Sequence, residues 1–273
     1  MATVLVTGCS SGFGELTALA FADRGDTVVA TMRRPGASAA LNARPEVVQL
    51  ALDVTSTDSV DAAVAEAIER TGGLDVVVNN AGIEVFGAVH LLSDDEVLRQ
   101  FDTNVFGVIR VVRAVVPHLL ERGSGTIVNV GSIAGLVGAP YGGIYAGSKH
   151  ALEALSEALH FELSHRGIRV HLIEPGQFAT ALGSNATIAA AMPAGSTEHD
   201  RFTRFRAAQR TLVNGEPAPA SVVADAIVAA VTEQPPRLRH PVGADAELIR
   251  TTKASMSFED FDTTMRTVLD WHE

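Results

Sequence analysis

Residues 3–14 read T-V-L-V-T-G-C-S-S-G-F-G, and this stretch decides the fold. Its apolar, β-branched start predicts a buried strand. Gly8 then permits a tight turn, Gly12 lets a ligand approach the backbone, and Gly14 lets the following helix pack closely on the strand. The unpaired N–H groups and positive dipole end of such a helix bind pyrophosphate. The sequence therefore predicts a phosphate-binding loop made of Gly8, Ser10, Ser11, Gly12, Phe13 and Gly14.

Outward from this loop, short apolar runs alternate with longer amphipathic stretches. Strands are predicted at residues 3–6, 27–31, 47–52, 75–78, 126–130 and 169–173, with a last short strand at 241–243. Helices are predicted at residues 15–24, 60–68, 93–117, 145–165 and 221–231. This alternation predicts a single α/β domain of Rossmann type, with a doubly wound, mostly parallel sheet of about seven strands and helices on both faces.

Residues of unusual type follow the predicted strands, at the edge where such sheets bind ligands. They are Gly8, Asp53, Asn80, Ser132 and Pro175. Glu84, directly after N-N-A-G, is a further candidate for the ligand cleft. The alternation breaks between about residues 180 and 220, which we interpret as a substrate-binding lid. A surface loop without that role is the alternative.

Composition limits the partners that we expect. Across 273 residues, 21 Lys and Arg stand against 32 Asp and Glu, a net charge of −11, so neither nucleic acid nor an anionic membrane is an expected partner. Cys9 is the one cysteine, no signal peptide is evident, and no uncharged apolar run is long enough to span a bilayer. We therefore expect a cytoplasmic protein that acts on a small molecule, without a metal site.

The stretch Y-A-G-S-K at residues 145–149 carries the chemistry that we expect. In a helix, Tyr145 and Lys149 project from the same face because they are four residues apart. A lysine ammonium beside a phenol favours the phenolate and lowers the phenol's pKa, as a proton donor working near neutrality requires. Because Y-x-x-x-K is common by chance, a solvated helix surface is the alternative.

The end of the second predicted strand indicates which dinucleotide binds. An acidic residue there usually holds the ribose of NAD, but this chain has Thr31-Met32-Arg33-Arg34. Without an acid, a 2′-phosphate is not repelled, and an arginine can hold it through two hydrogen bonds. We therefore expect NADP(H), with Arg33 as the first contact and Arg34 as the alternative, while NAD(H) stays open. The competing interpretation is that both arginines are solvated loop residues.

Asp53 follows the third predicted strand in L-D-V-T, with Val54 next to it. Its carboxylate can accept a hydrogen bond from an adenine amino group, which predicts a place at the adenosine end of the cofactor. The alternative is an acid favoured by the dipole of the next helix.

Together these residues resemble the classical short-chain dehydrogenase/reductase family over residues 3 to about 180. The resemblance is carried by T-G-x-x-x-G-x-G, the D-V pair, N-N-A-G at residues 79–82, Asn104, Ser132, Y-x-x-x-K and Pro175-Gly176. It implies reversible hydride transfer between a nicotinamide cofactor and an alcohol or carbonyl compound. A catalytically silent nucleotide sensor or scaffold on the same fold is the alternative, and an epimerase or dehydratase is a third.

The resemblance also implies roles for the matched residues. Tyr145 would give and take the proton, and Lys149 would lower its pKa and hold the nicotinamide ribose. Ser132 would hydrogen-bond the substrate oxygen, and Asn104 would hold a water that links Lys149 to solvent. The remaining cofactor contacts would be Asn80, Ala81, Gly82, Pro175, Gly176 and Thr180.

Two further expectations concern the substrate and the assembly. The lid stretch is rich in Ala, Ile, Met and Phe, which favours an apolar steroid-, retinoid- or other lipid-like ketone or alcohol. The family usually pairs through the helices predicted at residues 93–117 and 145–165, so the resemblance implies a homodimer or homotetramer.

Overall fold

The computed structural model describes residues 1–178, 186–211 and 218–271, and its strands form two sheets. Seven strands belong to the larger one: β1 (Thr3–Thr7), β2 (Thr27–Met32), β3 (Val48–Ala51), β4 (Val76–Asn79), β6 (Gly125–Val130), β7 (Ile168–Pro175) and β9 (Arg239–Val242). They are parallel in the order β3-β2-β1-β4-β6-β7-β9. The strands β5 (Val85–Phe86) and β8 (Thr187–Ile188) form a separate parallel pair.

Ten α-helices lie in the described part of the chain. They are α1 (Gly12–Asp23), α2 (Ala39–Asn42), α3 (Thr57–Thr71), α4 (Asp94–Phe101), α5 (Gly107–Arg122), α6 (Gly143–Leu163), α7 (Thr197–Thr211), α8 (Ser221–Thr232), α9 (Ala244–Ser255) and α10 (Phe258–Leu269).

The core has two halves because strand side chains alternate between the faces of the sheet. Val4 and Val6 of β1 face α1 and α8, where they pack with Phe21 and Ile227. Leu5 faces the opposite side, in the cluster that α3 and α5 complete. The predicted Rossmann-type fold, with helices on both faces of a parallel sheet, is therefore confirmed.

The helix predicted after Ser93 differs from expectation in two ways. A capping box begins it, since Ser93 and Glu96 bond each other's backbone. However, a π-helical turn at Asp102–Phe106 separates α4 from α5, and Pro117 lies inside α5 rather than at its end. The helix continues because Val111 and Leu119, on either side of the proline, are both buried in the core.

The continuous helical stretch Asp94–Arg122 is long and apolar enough to cross a membrane by length and composition, against the expectation from sequence. The buried side chains of α5, among them Val111, Val115 and Leu119, pack against the central sheet. We therefore interpret the stretch as a core helix, which meets the same criteria of length and composition.

The predicted lid is ordered in its described part. Phe86 of β5 packs with Met192 and Phe202 in a small apolar cluster of its own. The ring of Phe205, on α7, contacts Trp271 at a centroid distance of 5.3 Å. This region is therefore a packed layer that joins β5, α7 and the segment after α10. The helices α9 and α10 were not predicted from the sequence.

Candidate active site

The loop between β1 and α1 is held by glycine geometry and by one asparagine. Gly8 and Gly12 have positive φ angles of 75° and 64°. A Cβ on Gly14 would collide with the Gly8 carbonyl oxygen and the Asn80 side-chain amide. That amide donates to the carbonyls of Thr7 and Gly8 at 2.9 and 3.2 Å. The end of β4 therefore fixes the shape of the loop, and only glycine fits its closest approach.

A cavity of about 1180 Å³ opens past the carboxyl ends of the strands. All four predicted catalytic residues line it: Asn104, Ser132, Tyr145 and Lys149. So do most of the residues predicted to bind the cofactor: Gly8, Ser10, Ser11, Gly12, Phe13, Arg33, Asp53, Val54, Asn80, Ala81, Gly82, Pro175 and Gly176. Of the described residues predicted to bind cofactor, Gly14 and Arg34 do not line it, and Thr180 lies outside the described residues. Gly14 serves the loop through close packing instead.

Three of the four residues predicted to be catalytic meet near the end of β6 and the start of α6. Lys149 Nζ lies 5.7 Å from the centroid of the Tyr145 ring, so the two side chains share a helix face as expected. The same Nζ donates to the carbonyl of Val130 at 2.8 Å. Ser132, two residues beyond Val130, has its hydroxyl within hydrogen-bonding reach of the Tyr145 phenol. A hydroxyl, a phenol and an ammonium are thus gathered on one wall.

Asn104 lies in the π-helical turn and is 1 % exposed. Its side chain accepts from the Ile83 N–H at 2.9 Å and donates to the Ile83 carbonyl at 3.0 Å. It also donates to the hydroxyl of Ser148 at 3.2 Å. Asn104 therefore ties the segment after β4 to α6, while its implied role in holding a water stays a prediction.

The electrostatics at Tyr145 differ from the prediction. Burial of the phenol and the nearby Glu84 carboxylate raise the pKa of Tyr145 above its ordinary value, and Ser132 opposes this only in part. Among the chain's own residues, burial and Glu84 therefore outweigh any lowering, and the effect of Lys149 on the phenol stays a prediction. The reason is that desolvation penalises the phenolate, while a second charge of the wrong sign lies nearby.

Lys149 is itself perturbed by its surroundings. With 8 % of its surface exposed, it is buried, and burial lowers the pKa of its ammonium to about 8, against the opposing effect of Glu84. Its charge at neutral pH is therefore more easily lost than that of an ordinary lysine.

Glu84 lines the cavity, as its position after N-N-A-G suggested. Burial raises the pKa of its carboxyl to about 6, although Arg206 and Lys149 favour the charged form. No local sequence pattern predicts its influence on Tyr145, because that depends on how far the segment after β4 reaches across the sheet edge.

Asp53 and Arg33 lie at the other end of the cavity. The Asp53 carboxylate accepts from the Thr55 N–H at 3.0 Å and from the Thr55 hydroxyl at 2.8 Å. Partial burial raises its pKa, but these hydrogen bonds and the charges of Arg33 and Arg110 reverse the effect and hold the pKa below the ordinary value. Arg33 is exposed and borders the cavity, so it is available to a bound phosphate.

The opposite wall has two sources. Phe205 and Arg206 of α7 line the cavity and lie in the stretch predicted as a lid, whereas Met265 of α10 and Trp271 were missed by sequence reasoning. The amphipathic pattern of α10 shows which face is buried but not what covers that face, so no signal in the sequence located this second part.

Comparison with known proteins agrees with this geometry. The family model described as short chain dehydrogenase matches residues 2–190. A 3-ketodihydrosphingosine reductase of Bacteroides thetaiotaomicron is 39% identical over 201 residues, which cover 74% of this chain and 73% of that protein.

Two solved structures are similar over nearly the whole chain. A short-chain dehydrogenase from Streptomyces avermitilis is 34% identical with a TM-score of 0.81, covering 99% of this chain and 97% of that one. A short chain dehydrogenase/reductase from Burkholderia phymatum in complex with NAD is 28% identical with a TM-score of 0.80, covering 96% and 95%. The chain therefore belongs to the classical short-chain dehydrogenase/reductase family of nicotinamide-dependent oxidoreductases.

Proposed function

We propose that the protein transfers hydride reversibly between NADP(H) and the CH–OH group of an apolar alcohol, or the carbonyl group of the corresponding ketone or aldehyde. The observation that carries the proposal is the meeting of Ser132, Tyr145 and Lys149 on one wall of the cavity whose far end is the glycine loop. The closely packed glycines fit a dinucleotide, because a Cβ at Gly14 would displace the loop that cradles its pyrophosphate.

The chain's own residues position the substrate and transfer the proton. When bound, the nicotinamide cofactor supplies or accepts the hydride. Ser132 donates a hydrogen bond to the substrate oxygen, and Tyr145 gives that oxygen a proton during reduction and takes it back during oxidation. Lys149 is anchored by the Val130 carbonyl, so its ammonium stays beside the phenol as the proton moves.

Tyr145→Phe tests this mechanism. We expect kcat to fall by about 1000-fold while NADPH binding persists, because only the transferable proton is removed. Tyr141→Phe is the matched control: Tyr141 bonds Glu198 at 3.2 Å, so this variant removes a phenolic hydroxyl that serves the lid instead. The assay follows NADPH absorbance over a panel of ketones and alcohols. Full activity in Tyr145→Phe would show that the mechanism is wrong.

The proposed preference for NADP(H) rests on Arg33, which borders the cavity, whereas Arg34 does not. Arg33→Ala should weaken NADPH binding about tenfold or more, with little change for NADH, because only the former has a 2′-phosphate. Arg34→Ala is the control and should leave both affinities unchanged. Equal losses for the two cofactors in Arg33→Ala would remove Arg33 from this role.

An apolar substrate is supported by the aromatic and thioether side chains of the cavity's outer wall, including Phe86, Phe205, Met265 and Trp271. The Bacteroides relative is by its name a reductase of a keto compound, 3-ketodihydrosphingosine, which supports a ketone as the oxidised substrate.

We also propose a cytoplasmic homo-oligomer that pairs through α4, α5 and α6. Leu98 and Phe161 support this because they are 59% and 76% exposed on those helices. Light scattering of the purified protein checks it, and a monomer at all concentrations would contradict it.

A further inference from the structure

We propose that Glu84 binds a protonated amine of the substrate, close to the reacting carbonyl or hydroxyl group, so that the enzyme selects amino ketones or amino alcohols. The proposal rests on the proposed function, because it concerns the substrate of the same site.

The backbone around Glu84 is held in place on both sides. The Val85 N–H donates to the side chain of Gln100 at 2.8 Å, and Gln100 donates to the Ile83 carbonyl at 2.9 Å. The Glu84 carbonyl accepts from the Thr187 N–H at 2.9 Å. With its neighbours fixed, Glu84 contributes a partly buried carboxylate to the cavity that Ser132 and Tyr145 also line.

No donor to this carboxylate is found among the residues that the structure describes. Its two nearby cations are engaged elsewhere: Lys149 donates to Val130, and Arg206 lies 4.5 Å above the Phe86 ring and donates to Gln209 at 2.8 Å. A partly buried carboxylate without a protein donor is costly, because it has given up part of its hydration and gained no hydrogen bond in exchange. A ligand that brings a donor removes this cost.

A cationic donor suits the position better than a neutral one. The groups that face Glu84 are Tyr145 and Lys149 from α6 and Arg206 from α7, and the charge of Glu84 acts on all three. An ammonium would form a charge-assisted hydrogen bond, which is about twice as strong as a neutral one. The rings of Phe86, Phe205 and Trp271 line the same cavity and would hold the apolar remainder of the molecule.

The direct test is binding, which does not require turnover. Decylamine, decanol and decanoate are titrated into the enzyme saturated with NADP⁺ and followed by calorimetry. We expect decylamine to bind at least about tenfold more tightly than decanol, and Glu84→Gln to abolish that difference. The control is Asp262→Asn, which alters a carboxylate that lines the same cavity but is already paired with Arg266 at 2.9 Å. This variant should keep the preference for the amine.

Three outcomes would overturn the proposal. One is equal affinity for amine and alcohol in the unmodified enzyme. Another is tighter binding of decanoate, which would assign recognition to Arg206 as an anion site. The third is an equal loss of amine and alcohol binding in Glu84→Gln, which would make Glu84 a structural partner of the lid.

A second readout uses catalysis and pH. A long-chain 2-amino-1,3-diol is compared with the same 1,3-diol lacking the amine. In the unmodified enzyme kcat/KM should be higher for the amino diol, and in Glu84→Gln this difference should disappear. Since burial raises the pKa of Glu84 to about 6, this preference should be present above that pH and disappear below it, as the carboxylate takes up a proton. Turnover of both diols without a preference would overturn the role of Glu84 and leave the proposed function standing. Full activity of Tyr145→Phe would instead contradict the function.

Discussion

The two ends of the cavity are built in different ways. At the cofactor end, the loop after β1 is fixed by backbone contacts, with Asn80 donating to the Thr7 and Gly8 carbonyls and Gly14 packed where no Cβ fits. At the substrate end, the wall depends on side-chain packing between α7 and the C-terminal segment, as in the contact of Phe205 with Trp271. Backbone contacts specify one geometry, whereas packed side chains tolerate replacement by others of similar volume.

Among the changes that compare the two ends of the cavity, the largest predicted effect comes from replacing Gly14 at the cofactor end. In Gly14→Ala, the new methyl group would collide with the Gly8 carbonyl oxygen and the Asn80 amide. The carbonyl cannot move without shifting the backbone after β1, and the amide cannot move without losing its hydrogen bonds to Thr7 and Gly8. We expect kcat/KM for the cofactor to fall by about 100-fold and the free energy of unfolding to fall by about 1–3 kcal/mol. Steady-state kinetics and urea unfolding measure the two effects.

Gly138→Ala is the matched control for stability, because a Cβ there would meet open space. It should unfold like the unmodified protein. If Gly14→Ala were as stable and bound cofactor as well as the unmodified chain, the difference between the two ends of the cavity would not hold.

The cofactor end was also the part that the sequence predicted. Gly8, Gly14 and Asn80 can be read directly, because a tight turn and a parallel strand end each restrict the residue types that fit. Asp53 and Arg33 line the cavity for the same reason, while their contact with the cofactor stays a prediction.

The substrate end could not be predicted in this way. Met265 and Trp271 reach the cavity only because α10 and the residues after it fold back across the sheet edge, a long-range contact that no local pattern encodes. The charge of Glu84 beside Tyr145 was missed for a related reason, since a pKa depends on burial and neighbours in three dimensions.

A buried pair of carboxyl groups gives the cofactor end a pH-sensitive point. Glu174, at the end of β7, is fully buried and lies within hydrogen-bonding reach of Glu153 on α6. Burial and the charge of Glu153 raise the pKa of Glu174 to about 7, which favours a pair that shares one proton near neutrality. Arg239 balances the remaining charge by donating to Glu153 at 3.0 Å.

Glu174→Gln should therefore change how stability depends on pH. Because the folded state holds the proton more tightly than the unfolded chain, the stabilising contribution is complete below pH ~4.5 and is lost as pH rises through ~7. Glutamine keeps a donor toward Glu153 and does not titrate, so the variant should be more stable than the unmodified protein at pH 8, by on the order of 2 kcal/mol. At pH 5 the two should be similar, as measured by urea unfolding across this range.

The control for this pair is Glu157→Gln, which alters an exposed carboxylate on the same helix that accepts from the same Arg239 at 2.6 Å. Its stability should follow pH as the unmodified protein does. A loss of stability in Glu174→Gln at pH 8 would show that both carboxylates are charged and held by Arg239, contrary to the shared proton.

The smallest predicted effect lies at the substrate end, where Met265→Ala removes part of the apolar wall. Met265 is partly buried on α10 and lines the cavity, so its loss should weaken contact with the far end of a long ketone and leave a short one unaffected. We expect KM for long-chain ketones to rise by about fivefold, with kcat and NADPH affinity unchanged, since the side chain contributes only about 1 kcal/mol of apolar contact. Val268→Ala, on the same helix at a residue that is 56% exposed, is the control and should change neither. A series of ketones of increasing chain length distinguishes the outcomes.

An equal effect on short and long ketones would contradict the prediction. It would mean that α10 positions the catalytic residues, so that a change at the substrate end also alters the rest of the cavity.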